Sequence, residues 1–385
     1  MIKIEYIKNS RQLDDLCQRI ENAPWIAIDT EFLREKTYYP KFCLLQLATP
    51  DWVACVDPIV LPNLNKLFDA IYNPAIIKVF HSCRQDLEIF YQLTGKLPTP
   101  IFDTQIAAPL LGFQDNTGYS MLVSTFLNIN LNKAHTRADW SHRPLSEDEI
   151  KYAADDVIHL CAIYQHMTKQ LTELGRMDWL VDDFAALENP EQYKTEPQNA
   201  WLKVKGKSKL TGKQLSIVQA VSQWREITAQ KENRPKNWLL RDEVLFDFAK
   251  LQPETTEALS KIRGIGERAV NYYGKELCAL IKKAKNAPPI PIPEYTKSIS
   301  GKDQQQEAII DILFALVRIR AEENRLNPTI LATRNDLETL LNGSNLEDCF
   351  LLRGWRFSMV GKELQQLLRG ELHLKIENGN LQFIG

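Results

Sequence analysis

The stretch Trp25-Ile26-Ala27-Ile28-Asp29-Thr30-Glu31-Phe32 decides the fold of this 385-residue chain. Its apolar start predicts a core strand, and Asp29 and Glu31, two residues apart, project from the same face of that strand. Two neighbouring carboxylates repel each other, and this repulsion raises their pKa values. A divalent cation bound between them removes the repulsion. An acidic pair at an exposed strand end is the commoner explanation of such a pattern. The pair becomes a candidate cation site only if further carboxylates join it.

The surrounding sequence predicts an α/β sheet of mixed strand direction between residues 1 and 172. Short apolar runs predict strands at 1–7, 24–32, 42–48, 52–56 and 76–80. Helical periods lie at 61–72, 84–93, 104–112, 120–127 and 147–172. The strands at 24–32, 42–48 and 52–56 follow one another closely, so we expect an antiparallel meander, with later strands reached through helices.

Two further segments supply carboxylates. Asp86 follows the strand at 76–80 and begins a helix, at the end of the sheet where α/β proteins place ligands. A carboxylate in the first turn of a helix is also explained by the helix dipole alone. In the helix at 147–172, Tyr152 and Asp156 are four residues apart and therefore share one face.

The combination favours metal chemistry more strongly than any one motif does. Four carboxylates from three elements, with a phenol beside the last, can hold two divalent ions ~3.5–4 Å apart for an in-line displacement at phosphorus. Oxygen ligands select Mg²⁺ or Mn²⁺, and the absence of a His/Cys cluster argues against zinc. The sequence has no P-loop and no Ser-His-Asp pattern.

The pattern of the second half of the chain predicts helical modules. We expect a domain at 1–172, a linker at 173–207, a helical domain at 208–288, a Pro-rich linker at 289–298 and a second helical domain at 299–385. Glu232-Asn233-Arg234 recurs as Glu323-Asn324-Arg325, which indicates a diverged repeat. Asn378-Gly379 near the end predicts a type I′ hairpin.

Charge separates these parts although the whole chain carries only −2. Residues 1–199 carry a net charge of −9, residues 200–290 carry +9, and residues 291–385 carry −2. An acidic body beside a basic segment suits a metal-dependent enzyme that acts on a polyanion, and solvated faces of one charge are the simpler alternative.

Composition excludes several protein classes. It is neither collagen-like nor that of a wholly disordered chain. No apolar run is long enough for a transmembrane helix, and the start lacks the apolar core of a signal peptide. The seven scattered cysteines predict reduced thiols and a cytoplasmic location. We expect a monomer with no membrane association and no obligate protein partner.

The motifs resemble those of the ribonuclease D family, within the DEDD exonuclease superfamily and its tyrosine subgroup. The resemblance rests on Asp29-Thr30-Glu31-Phe32, on His81 with Asp86-Leu87, and on Tyr152-Ala153-Ala154-Asp155-Asp156. Gln85 is a mild departure, because relatives often carry an acid there. Residues 200–290 are similar to the HRDC domain shared with RecQ-type helicases.

The resemblance implies an α/β ribonuclease-H-like exonuclease domain, a mixed sheet with flanking helices, followed by two small all-α HRDC-type domains. Asp29, Glu31, Asp86 and Asp156 would bind two divalent ions, Mg²⁺ or Mn²⁺, and Tyr152 would position the attacking water. The implied activity is a 3′→5′ exoribonuclease that releases 5′-mononucleotides from structured RNAs such as precursor tRNAs with 3′ trailers. A 3′→5′ DNA exonuclease in repair and a catalytically inactive nucleic-acid adaptor remain alternatives.

Candidate RNA contacts come from the basic segment and from the first motif. Phe32 is placed to stack on a terminal base, or equally to pack into the sheet. For phosphate contact we name Lys203, Lys205, Lys207, Lys209, Arg234 and Arg241, with Lys213, Arg225, Lys231 and Lys236 as further candidates. Trp201, Trp224 and Trp238 are candidates for base stacking, although the spacing of Trp224 also suits a core residue. Gly264-Ile265-Gly266 is either a phosphate-binding hairpin or a simple junction between two helices.

Overall fold

The computed structural model describes residues 3–131, 138–288, 304–343 and 349–384. These residues form two compact units. The sheet unit comprises Met1–Glu31, Phe42–Tyr193 and Gly301–Gly385, and the helical unit comprises Phe32–Lys41 and Lys194–Ser300. The predicted linker at 289–298 lies outside the described residues, and the five-part division of the chain stays a prediction.

A six-stranded mixed sheet forms the centre of the sheet unit. Its strands are β1 (Ile4–Ile7), β2 (Trp25–Leu33), β3 (Lys41–Ala48), β4 (Val53–Val56), β5 (Ile77–Phe80) and β6 (Ile101–Asp103), in the order β1-β4-β3-β2-β5-β6. β3 and β4 are antiparallel, whereas the pairs β1–β4, β2–β5 and β5–β6 are parallel. The predicted mixed sheet is therefore confirmed. β2 lies between β3 and β5, so its acidic pair starts from a central strand.

In the described ranges, seven helices accompany this sheet. They are α1 (Ser10–Glu21), α2 (Asn65–Ile71), α3 (Arg84–Thr94), α4 (Thr104–Ala107), α5 (Tyr119–Leu127), α6 (Glu147–Glu173) and α7 (Val181–Leu187), with 3₁₀ turns at Ala108–Leu111, Met177–Leu180 and Pro190–Gln192. α6 begins where Ser146 and Glu149 bond reciprocally in a capping box. Its buried residues run from Ala153 to Leu171, and this apolar side holds the helix in place.

The helical unit has a core of its own. Its helices are α8 (Gly212–Glu232), α9 (Lys236–Leu239), α10 (Asp242–Leu251), α11 (Thr256–Ser260) and α12 (Glu267–Lys285), preceded by 3₁₀ turns at Pro197–Lys203 and Lys207–Lys209. Gly264 takes a φ of +88° in the junction between α11 and α12, and Gly266 is the N-cap of α12. The Gly-Ile-Gly segment therefore joins two helices, and its contact with phosphate stays a prediction.

The C-terminal part of the sheet unit repeats this order of elements. It contains α13 (Gln304–Glu323), α14 (Pro328–Leu331), α15 (Arg334–Asn342), a 3₁₀ turn at Phe350–Leu352, α16 (Gly354–Arg356), a π-helical turn at Phe357–Gly361 and α17 (Lys362–Leu368). It ends in β7 (His373–Glu377) and β8 (Asn380–Ile384), an antiparallel pair. Asn378 and Gly379 between them both have positive φ, as the hairpin signal predicts.

Aromatic and arginine side chains attach this C-terminal part to the segment after α6. The indoles of Trp179 and Trp355 stack with centroids 4.5 Å apart and planes within 5°. The Arg176 guanidinium lies 5.2 Å from the Trp179 ring, and that of Arg356 lies 4.4 Å from the Trp355 ring. Arg176 is buried and also donates to the carbonyl of Asn324 at 2.7 Å. Cation–π and hydrogen-bonding contacts together fix this attachment.

Across the ranges that the structure describes, no helix combines the length and the apolar character needed to cross a membrane.

Candidate active site

The first acidic pair projects from the central strand of the sheet. Ile26, Ala27 and Ile28 are buried, which fixes β2 in the core up to the point where Asp29 begins the motif. Asp29 and Glu31 are half-buried. The Asp29 carboxylate accepts a hydrogen bond from the Thr30 N–H at 2.9 Å. The strand therefore carries both carboxylates on one face, as the two-residue spacing predicts.

Asp86 reaches the same region from a constrained turn. Between β5 and α3, Ser82 takes a φ of +60°, and the Asp103 carboxylate accepts from the N–H groups of Ser82 and Cys83 at 2.9 and 2.8 Å. Asp86 is buried, and its carboxylate accepts a hydrogen bond from the Thr30 hydroxyl. Thr30 thus links the first and second motifs directly.

The third motif lies on α6, beside an aromatic neighbour. Tyr152 and Asp156 are both half-buried. The Tyr152 ring stacks on the buried indole of Trp140, with centroids 6.2 Å apart. Arg143 holds this segment, because Nη1 donates to the Trp140 carbonyl at 2.8 Å while Nε and Nη2 bind the buried carboxylate of Asp57 at 2.5 and 2.8 Å.

Mutual electrostatic effects indicate that the four carboxylates lie near one another. Burial raises the pKa of Glu31 to about 9, and the charges of Asp29, Asp156 and Asp86 add to that rise. Burial and the Asp29 charge raise the pKa of Asp156 to about 8. Burial raises the pKa of Asp29 to about 6, and burial with the Asp29 charge raises that of Asp86. Within the described ranges no ion pair joins any of the four to a basic side chain, so their charge is uncompensated whenever they ionise.

The cluster fits a hard divalent cation in charge and in donor type. All four side chains offer oxygen, which Mg²⁺ and Mn²⁺ prefer. In the described ranges, no three His, Cys, Asp or Glu side chains are arranged so that they could hold one metal ion. The Asp86 carboxylate faces Thr30 instead. Cation binding therefore requires local side-chain rotation within a cluster that the backbone has already assembled.

Sequence reasoning missed two aromatic residues at this site. Trp140 packs against Tyr152, and Tyr119, the first residue of α5, donates its hydroxyl hydrogen bond to the main-chain carbonyl of Asp156. Neither residue belongs to a recognisable motif, so the contacts follow only from the folded chain. Both support residues that the motifs do identify.

The comparisons with known proteins agree with this geometry. A family model described as 3′-5′ exonuclease matches residues 4–172, and one described as HRDC domain matches residues 214–281. Ribonuclease D of Granulibacter bethesdensis is 36% identical over 381 residues, covering 98% of this chain and 96% of that protein. Ribonuclease D of Zymomonas mobilis is 38% identical over 384 residues, covering 97% and 96%.

The chain belongs to the ribonuclease D family. It is therefore an exoribonuclease. The crystal structure of Escherichia coli RNase D matches with a TM-score of 0.84 at 28% identity, covering 96% of this chain and 99% of that one. The predicted family, the ribonuclease-H-like exonuclease domain and the following HRDC domain are confirmed.

The helical unit of this ribonuclease D family member exposes part of the predicted RNA-contact set. Of the six lysine and arginine candidates named first for phosphate contact, four are exposed: Lys203, Lys205, Lys209 and Arg241. Lys207 is half-buried and donates to the Leu202 carbonyl, and Arg234 is half-buried and pairs with Glu232 at 3.0 Å. Phe32 is half-buried. The role of all seven residues in RNA binding stays a prediction.

The candidates Arg225 and Trp201 are wrong, whereas Trp224 is a core residue, as its spacing indicates. Arg225 is buried and bonds Asp242 at 2.8 Å, so its guanidinium serves the core of the helical unit. Trp201 and Trp224 are buried in that core. Trp238 is 56% exposed and remains available for stacking. Apolar packing outweighs the local basic composition at the three buried positions.

Proposed function

We propose that this protein is a 3′→5′ exoribonuclease that hydrolyses the terminal phosphodiester of RNA with two divalent cations, Mg²⁺ or Mn²⁺, and releases 5′-mononucleotides. The observation that carries the proposal is the uncompensated cluster of Asp29, Glu31, Asp86 and Asp156 beside Tyr152. A cluster of one buried and three half-buried carboxylates is costly without a cation, so its assembly by three separate elements favours metal binding over chance.

Each group in the cluster has a distinct role. The four carboxylates would hold the cations and thereby fix where the scissile phosphate lies. When bound, two divalent cations stabilise negative charge on the phosphate and increase the acidity of a water molecule. The Tyr152 hydroxyl orients that water for in-line attack, while its ring is held by Trp140. Because water attacks phosphorus directly, no covalent enzyme intermediate forms.

RNA is the substrate that the family and the charge distribution favour. The Escherichia coli relative is described as an exoribonuclease involved in structured RNA processing. In this chain, residues 200–290 carry a net charge of +9, which suits contact with the phosphates of a folded RNA. We propose that its substrates are precursor tRNAs with 3′ trailers and other structured RNAs with short single-stranded tails. We further propose a cytoplasmic monomer.

A time course on a 3′-extended tRNA and a matched DNA strand tests this function. With Mg²⁺ we expect a ladder that shortens from the 3′ end of the RNA, release of nucleoside 5′-monophosphates, and no reaction in EDTA. Preferential cleavage of the DNA would instead support a repair exonuclease. Binding without cleavage of either strand would support the adaptor alternative.

Two substitutions test whether cleavage depends on the carboxylate cluster or on an acid next to it. Asp156→Asn removes a cluster carboxylate and should abolish cleavage while RNA binding in Ca²⁺ is retained. Asp155→Asn is the matched control, because Asp155 is the adjacent half-buried acid outside the cluster. We expect the control to keep its rate within a few-fold. Equal rates for both variants would contradict the assignment of the metal ligands.

A further inference from the structure

We propose that Tyr119 is a positioning residue that acts on Asp156 by holding the main-chain carbonyl of Asp156 in place. The inference rests on the proposed metal-dependent function and adds a residue outside the three motifs. The Tyr119 hydroxyl donates a hydrogen bond to the Asp156 carbonyl oxygen. A helix carbonyl normally accepts from the N–H four residues onward, so a side-chain donor at this carbonyl is an additional constraint.

The direction of this bond matters for the cluster. Tyr119 begins α5, and its hydroxyl meets α6 at the turn that carries the Asp156 side chain. Because the Tyr119 hydroxyl holds the Asp156 carbonyl from the side, this turn of α6 cannot rotate about the helix axis without breaking the hydrogen bond. The bond therefore restrains where the Asp156 carboxylate projects, since side chain and carbonyl belong to the same residue.

The ring of Tyr119 is restrained from a second direction. Its centroid lies 5.2 Å from that of His81, which follows β5 and opens the turn leading to Asp86. His81 in turn is fixed by a 3.0 Å hydrogen bond between Nδ1 and the Thr104 hydroxyl. Tyr119 therefore connects the turn of the second motif to the helix of the third motif.

The charges around the phenol agree with this position. Burial raises the pKa of Tyr119 well above its ordinary value, and the charges of Asp156 and Asp29 contribute to the rise. The hydroxyl thus lies within electrostatic reach of carboxylates from two motifs. Groups that orient metal ligands in this way change metal affinity by about 10–100-fold when they are removed.

Mn²⁺ binding without RNA is the readout that a purely structural tyrosine would not change. We compare the full-length protein with Tyr119→Phe, which keeps the ring against His81 and removes only the hydroxyl. Tyr164→Phe is the matched control, because Tyr164 is a buried tyrosine on α6 whose ring packs on Trp25 and Phe102. We expect Mn²⁺ affinity measured by calorimetry to fall about 10-fold in Tyr119→Phe and less than about twofold in the control.

Turnover provides the second readout. The kcat on a 3′-extended RNA in limiting Mn²⁺ should fall for Tyr119→Phe, while its KM for RNA stays constant and saturating Mn²⁺ restores much of the rate. Wild-type Mn²⁺ affinity in a folded Tyr119→Phe variant would overturn the positioning role. A lower kcat with unchanged Mn²⁺ affinity would also overturn it, since Tyr119 would then act on RNA or water.

The two proposals fail differently. If the wild-type protein binds no Mn²⁺, or if Asp29→Asn binds it equally well, the proposed function fails. If the wild-type protein binds Mn²⁺ and Asp29→Asn does not, the function stands and the Tyr119 comparison decides the positioning role alone. A Tyr119→Phe variant that melts far below the wild type while Tyr164→Phe does not would make the tyrosine a general stability residue and contradict the proposal.

Discussion

The indole of Trp140 stacks on the phenol of Tyr152 with ring centroids 6.2 Å apart and planes inclined by 30°. Trp140 is only 4% exposed, so its position is set by the core and it can fix the ring beside it. The orientation of the proposed water-positioning hydroxyl therefore depends on a residue that lies 12 positions before it in the sequence.

Replacing Trp140 by leucine should reduce kcat by about 10-fold, because a displaced catalytic group costs orientation more than binding. Metal affinity should stay constant, since Tyr152 is not proposed as a ligand. Steady-state kinetics on a short 3′-extended RNA, with calorimetry of Mn²⁺ binding, measures both quantities. An unchanged kcat would show that the stacking does not orient Tyr152.

Removing Arg143 should destabilise the fold. Asp57 is completely buried, and burial tends to raise its pKa, but hydrogen bonds from Arg143 and Tyr6 outweigh burial and hold the pKa below its ordinary value. Arg143→Ala leaves that carboxylate buried without its cation, which costs about 3–5 kcal/mol. Urea denaturation measures the change in the free energy of unfolding.

An exposed ion pair provides the control for Arg143. Lys66 pairs with Asp14 at 2.7 Å on the surface, where water screens the pair, and Lys66→Ala should leave the free energy of unfolding nearly unchanged. Because the folded-state pKa of Asp57 is depressed, its contribution to stability is present above the unfolded-state pKa of ~3.9 and is lost as pH falls through the folded value. A destabilisation by Arg143→Ala no larger than that by Lys66→Ala would contradict the structural role.

Without divalent cations, the protein should become less stable as pH rises from about 6 to 9. The pKa values of Glu31 and Asp156 are raised to about 9 and about 8 in the folded state, so the folded protein binds more protons than the unfolded chain in this window. Stability therefore falls with pH, by the sign of proton linkage. Thermal melts in EDTA across this range should show the decline, and MgCl₂ should reduce it.

A substitution separates this pH effect from general charge repulsion. Glu31→Gln removes the group with the higher pKa and should flatten the decline in EDTA, while it also weakens the effect of MgCl₂. Asp69→Asn, which removes an exposed acid elsewhere in the sheet unit, should leave the slope unchanged. Equal slopes for wild type and Glu31→Gln would rule out the carboxylate cluster as the source.

Alanine at Lys203, Lys205 and Lys209 should weaken RNA binding and make it less sensitive to salt. These exposed lysines lie in the basic segment, and removing one phosphate-binding cation lowers the slope of log affinity against log salt by about 0.7–0.9. The triple variant should therefore lower the slope by about 2, while kcat on a dinucleotide stays constant. Filter binding between about 50 and 200 mM salt measures the slope. An unchanged slope would show that these three lysines do not contact RNA phosphates.

Much of the site follows from the sequence because its key positions obey local rules. Strand alternation places Asp29 and Glu31 on one face, and helical spacing places Tyr152 and Asp156 together. The antiparallel pairing of β3 with β4 follows from their short connection. The three-residue strand β6 is too short to show a period, so the sequence pattern does not predict it.

The supporting contacts could not be predicted in this way. The bond from Thr30 to Asp86 and that from Tyr119 to Asp156 join residues far apart in the chain, so no local period reveals them. Arg225 illustrates the converse error, since a basic residue in a basic segment is assigned to the surface until the fold buries it beside Asp242. The local composition of a sequence predicts the binding partner of a side chain only where tertiary packing leaves that side chain outside the core.

The attachment of the C-terminal helices to the sheet unit makes the helical unit an insertion. The chain leaves the sheet unit after Tyr193 and re-enters it at Gly301, and the Trp179–Trp355 stack joins the two flanks without a covalent bond. The two chain segments that flank the helical unit would therefore stay associated even if the covalent path through that unit were cut.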